Sequence, residues 1–173
     1  MLIPPGGSGG VGIYLTEPAG GDLGVLLTFR HRAAPGGMGF RVGLAEDRGD
    51  DLSVHGGVDV GGWLTTASDD FPLDVAWFAG AGAGIGDAVL LTLPAGISLG
   101  RTVVGEDARF IPYVAPRLML DAWLGNDVDD ALELGLAVDI GLNLAFQAAW
   151  EIRFAGTLGD HRAIAVGVGF TGG

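Results

Sequence analysis

The sequence predicts an all-β fold: a closed antiparallel up-and-down barrel crossing a lipid bilayer, with ten strands, or eight as the alternative. Three observations lead there. Segment after segment alternates large apolar residues with small or charged ones, a period of two. Clusters of turn formers separate these segments at short intervals. Glycine makes up 33 of 173 residues, and many of these recur along one face of the segments.

The elements follow in order. After a tail at residues 1–8, the barrel domain is expected over 9–171. The first strand starts near Gly10 and ends at EPAGGD (17–22). In the second, Leu23, Val25, Leu27 and Phe29 oppose Gly24, Leu26, Thr28 and Arg30, up to HRAAPGG (31–37). In the third, Phe40, Val42 and Leu44 oppose Gly39, Arg41 and Gly43, up to EDRGDD (46–51). In the fourth, Val54, Val58 and Val60 oppose His55, Gly57, Asp59 and Gly61, before TTASDDFP (65–72). The fifth contains WFAGAGAGIGD (77–87), with Gly80, Gly82, Gly84 and Gly86 at every second position. A dinucleotide fingerprint needs glycines at offsets 0, 2 and 5, but Ile85 stands five after Gly80. A Walker A loop needs a lysine, and the chain has none. The stretch therefore reads as a strand with one face stripped of side chains.

The sixth strand follows GIGDA (84–88), with Leu91, Leu93 and Ile97 opposing Thr92, Gly96 and Ser98. The seventh lies between GRTVVGEDAR (100–109) and GNDVDD (125–130), with Phe110, Val114 and Leu118 opposing Tyr113, Arg117 and Asp121. The run from 131 to 156 is too long for one strand, so a reversal is expected near 142–144. Leu134, Leu136 and Ile140 then oppose Glu133, Gly135 and Asp139, and Trp150, Ile152 and Phe154 oppose Glu151 and Arg153. After TLGDHR (157–162), the tenth strand is AIAVGVGF (163–170).

The choice of inner face follows from glycine. A glycine in a strand costs stability and signals close approach of another group. Glycines repeated along one face make little sense in water, but they suit the interior of a narrow closed barrel. The apolar face then points outward, which hydrocarbon tolerates. There every backbone group must be paired, so the sheet must close. Strands of roughly 9–11 residues suffice for the crossing, with short turns and apolar-out, polar-in alternation. No apolar run approaches the roughly 20 residues of a spanning helix.

A formal charge of −12 argues against nucleic acid as a partner. With no cysteine, disulfides and thiolate metal sites are excluded; no cofactor and no metal is expected. The inward charged set is Arg30, Arg41, Asp59, Asp74, Arg117, Asp121, Glu133, Asp139, Glu151 and Arg153, with His55 beside them. Buried charges survive when paired, so an Arg–carboxylate ladder through the lumen is expected. Phe29, Phe40, Trp77, Phe110, Trp150, Phe154 and Phe170 fall on the outward face as an aromatic belt. The acidic turns read as turns rather than Ca²⁺ loops, and His161 as a solvated turn residue.

From Gly10 to Phe170 the chain resembles small bacterial outer-membrane β-barrel proteins, in its alternating strands, its turns and the closing AIAVGVGF with its final aromatic. Thr171, Gly172 and Gly173 after Phe170 depart from that pattern, and no signal peptide is visible; one is presumed removed. The resemblance implies an outer-membrane location. It implies lipid bilayer, lipopolysaccharide and the outer-membrane assembly machinery as partners, and a structural role or a narrow passive pore.

Two other readings are weighed. A lipid-modifying barrel enzyme would centre on His55, Asp59 and Ser53, which share a strand face. TFRHRAAPG (28–36) is similar to a lipid A deacylase motif but has Ala33 where the serine would stand. A soluble ligand-binding barrel would reverse the two faces.

Overall fold

The computed structural model describes residues 9–17, 21–31, 37–47, 52–86, 88–125, 131–146 and 149–170. The N-terminal tail, Thr171–Gly173 and most of the acidic turns 46–51 and 125–130 lie outside the described residues, as does Ala33.

The described residues form one antiparallel sheet that closes on itself. Its strands are β1 (Gly10–Glu17), β2 (Gly21–Arg30), β3 (Gly39–Asp47), β4 (Leu52–Thr65), β5 (Asp74–Ile85), β6 (Val89–Gly100), β7 (Val103–Val104), β8 (Ala108–Leu124), β9 (Ala131–Phe146), β10 (Trp150–Gly159) and β11 (Ala163–Phe170). Each pairs with its sequence neighbours, except that β6 pairs with β8 and not with β7, and β1 pairs with β11. The two-residue β7 continues the line of β6 against the start of β8. The barrel therefore has ten staves.

Closure leaves no free sheet edge, which is the condition for a sheet in hydrocarbon. One end carries the β1–β2, β3–β4, β5–β6, β8–β9 and β10–β11 connections and is the hairpin end. At the other, the terminal end, β1 begins and β11 finishes.

Alternation holds around the wall. Val11, Ile13, Leu15, Val25, Leu27, Val42, Leu44, Leu134, Leu136, Val166 and Val168 are exposed on the outer surface. Gly12, Tyr14, Gly24, Leu26, Gly43, Ala137, Asp139, Ala165 and Gly167 are buried inside. A continuous apolar exterior far exceeds the few hundred Å² typical of a water-soluble monomer. The soluble barrel with apolar residues inside is thus not the fold adopted.

The expected reversal at 142–144 is displaced. β9 runs on to Phe146 and β10 starts at Trp150. Asn143, with no turn-forming neighbour, is a buried strand residue, and the left-handed position at the reversal is taken by Ala149, φ 63°. Alanine gives no sequence signal for that conformation.

Candidate functional site: the barrel interior

The inward glycines are seats for large inward neighbours. Tyr14 is the cross-strand partner of Gly167, Tyr113 of Gly141 and Phe78 of Gly96. Each ring lies where the glycine's Cβ would be. Covering a strand glycine with a cross-strand aromatic recovers the packing that glycine lacks. Charged arms follow the same rule: Arg41 stands opposite Gly57, Arg153 opposite Gly167, and Glu151 opposite Gly169.

These pairings gather most of the charges into separate groups. Arg30 binds Asp59, and Arg41 Nη1 reaches the other oxygen of that carboxylate at 3.4 Å. Arg117 Nε lies 3.0 Å from Asp139, which also accepts the Thr157 hydroxyl. Arg153 binds Glu151 and donates through Nη1 to Tyr14 Oη at 2.6 Å, its guanidinium 5.9 Å from the ring centre. The groups sit at different heights on different strands, so the lumen holds discrete clusters rather than one continuous ladder.

Two expected members are elsewhere. Asp74 opens β5 and accepts the Ala67 N–H at 2.8 Å, fastening the exposed β4–β5 connection. Glu133 is exposed, because β9 runs on past the end of β10 at the hairpin end. Its cross-strand partner Asp121 is buried, and its carboxylate contacts His161 Nε2 at 2.7 Å. His161 is thus not merely solvated. Its turn folds inward, which nothing in the local sequence announces.

The interior has two unlike walls. Along β1 and β8–β11, Tyr14, Ile111, Tyr113, Met119, Ala137, Asp139, Asn143, Glu151, Ala165, Gly167 and Gly169 are all buried. Along β4 and β5, His55, Gly57, Asp59, Gly61, Gly80, Gly82 and Gly84 are half-exposed. Here glycine meets glycine, Gly57 opposite Gly82, and the side chain laid over the pair is Arg41. A Cβ at Gly57 would lie 2.8 Å from the Ala81 carbonyl and 3.0 Å from Arg41 Nε, and one at Gly82 3.1 Å from the Thr92 methyl, while one at Gly84 would meet nothing nearer than 4.0 Å.

Ser53, His55 and Asp59 share this wall but do not converge. The Ser53 hydroxyl donates to the Ala45 carbonyl at 3.0 Å, and Asp59 is held by the two arginines. His55 stands between Gly43 and Gly84.

Outside, a single hydrogen-bonded row at the terminal end runs Phe40, Phe29, Val11, Phe170, Trp150, Phe146. Phe29 and Phe40 stack at 6.4 Å, and Phe146 and Trp150 at 4.3 Å. Phe146, which was not among the expected belt residues, joins this row. Phe110 faces outward near the start of β8, and the Trp77 indole lies across Gly62 of β4. Phe154 is farther along β10, opposite Leu142 and Val166, within the apolar band. His31 is exposed at the β2–β3 connection, where its N–H bonds to Met38 O at 3.1 Å.

No family model and no curated protein matches the chain. Among solved structures it is similar to a KdgM porin, at 12% identity and a TM-score of 0.44, over 94% of this chain and 99% of that one. The architecture stands on this chain's own pairing and exposure. It is a transmembrane-type β-barrel, closed by ten strands, with its apolar face outward.

Proposed function

We propose that the protein is an integral outer-membrane barrel acting as a narrow passive pore. Its path follows the β4–β5 wall, and the opposite side is filled by the Arg–carboxylate and tyrosine plug. The observation that carries this reading is the contrast in burial between the walls: the inner residues of β4 and of the Gly80–Gly84 stretch of β5 remain half-exposed, while most of those of β8–β11 are buried. Two arginines share Asp59 beside that path, so its local charge is positive and anions are favoured over cations. The apolar exterior and the aromatic row at the terminal end support the membrane location. In this reading the final strand, ending at Phe170, is what the assembly machinery engages, and lipopolysaccharide borders the hairpin end. No reaction is assigned, since Ser53, His55 and Asp59 each have other geometry.

The test is conductance of the purified protein in a planar bilayer. Small, steady unitary currents with an anion preference are expected. Silence across both polarities and at high salt would leave a purely structural barrel.

A further inference from the structure

The β10–β11 connection is built as a strap across the hairpin-end portions of β9 and β8. Gly159 has φ 111°, a left-handed conformation, and a Cβ there would collide with the Leu136 carbonyl. Asp160 then grips β9 at one residue: its N–H donates to Leu136 O at 3.1 Å, and its carboxylate accepts the Leu136 N–H at 2.8 Å. Leu136 lies just past the last β9 residue paired with β10, Ala137 opposite Gly159. The strap thus caps the overhang of β9. From it His161 reaches past β9 to Asp121 on β8. Between them on β9 is Gly135, buried and without a side chain to block the way.

The charges around His161 are unbalanced. β8 contributes Asp121 and, two alternation steps deeper past Met119, Arg117, which is already tied to Asp139. β9 contributes Glu133, the cross-strand neighbour of Asp121. The strap itself contributes Asp160 and the exposed Arg162. Asp121 is buried, so its charge depends on the imidazole for compensation. Protonated, His161 supplies a full positive charge to a carboxylate with two more carboxylates near it. Neutral, it supplies only a hydrogen bond.

The geometry points to the strap as a pH-operated latch that fastens the β10–β11 connection to β8 and β9 at the hairpin end, on the side across the barrel from the β4–β5 path: acid holds it down through His161 and Asp121, and rising pH releases it. The inference rests on the pore reading for its consequence, but not for the movement itself, and two measurements separate them.

The first is amide hydrogen exchange of the folded barrel in detergent micelles at pH 5 and pH 8, corrected for intrinsic rates. The Leu136 and Asp160 amides lose protection at pH 8 in the native protein. In His161→Gln, which keeps a neutral side chain of similar reach, their protection is equal at the two pH values. Equal protection in the native protein, or an unchanged pH response in the variant, overturns the latch. The second is bilayer conductance at the same pH values. A several-fold higher open probability at pH 8, absent in His161→Gln, ties the latch to the pore. A silent bilayer with the exchange switch intact sinks the pore reading and leaves the latch standing.

Discussion

Two glycine–glycine pairs face the interior, and they have opposite fates. Gly12 and Gly169 are partners across β1 and β11; both are buried. A Cβ on Gly12 would lie 2.7 Å from the Thr28 hydroxyl and from the Tyr14 ring, and one on Gly169 3.0 Å from Glu151. Gly57 and Gly82 are partners across β4 and β5; both remain half-exposed, with the Arg41 side chain over Gly57 and Thr92 beside Gly82. The same residue pair therefore serves packing in one place and space in the other. What differs is the neighbourhood. Around the first pair stand Tyr14, Glu151 and Arg153, long side chains that need somewhere to lie. Around the second stand more glycines and Thr92, which fill little.

The sharpest break of this comparison is removal of the plug's carboxylate. Glu151→Ala leaves Arg153 buried against Tyr14 without its ion partner, and it should destabilise the barrel by about 3–5 kcal/mol. His55→Ala on the other wall should change stability by no more than about 0.5 kcal/mol. Denaturant unfolding in micelles, followed by tryptophan emission, measures both; equal losses would erase the distinction between the walls.

Next comes the glycine test itself. Gly167→Ala forces its Cβ into the Tyr14 ring and should cost about 1–3 kcal/mol. Gly84→Ala enters open space and should be nearly silent, within about 0.5 kcal/mol. The same unfolding curves report it, and a costly Gly84→Ala would mean the β4–β5 wall is packed after all.

The remaining tests sharpen the functional side. Arg41→Glu exchanges the positive cover of Gly57 and Gly82 for a negative one. It should reverse the sign of the zero-current potential in a salt gradient, while Arg117→Gln, inside the plug, leaves that sign alone. Gly82→Leu should lower unitary conductance with the barrel still folded, as judged by its heat-modifiable gel mobility. The smallest effect is expected outside both walls: Phe29→Ala removes one stacked pair at the terminal end and should cost about 0.5–1.5 kcal/mol beyond the lost area.

Much of this architecture was readable in residue order. The period of two placed every stave of the barrel except the end of β9 and the start of β10, and the short β7 fell inside the expected turn 100–109. There the sequence Leu142–Asn143–Leu144 attracted the reversal, but the left-handed corner fell to Ala149, which carries no turn signal. The inward face was legible because glycine and arginine rarely share a strand face without a reason. Which charges would meet was not. Asp74 and Glu133 have the right parity, yet they stand where their strands leave the barrel body, and parity says nothing about height. Asp121 found His161, forty residues away in sequence and across an intervening strand.

Sequence alone determined that this chain makes a closed sheet with its bulky apolar groups outward, since alternation is a local property that each strand carries independently. Tertiary structure decided which glycines are covered and which are bare, which carboxylate each arginine takes, and that a turn would fold across the hairpin-end portions of β9 and β8. Those outcomes depend on stagger between strands, which sets who stands beside whom and is a property of the closed barrel rather than of any one segment.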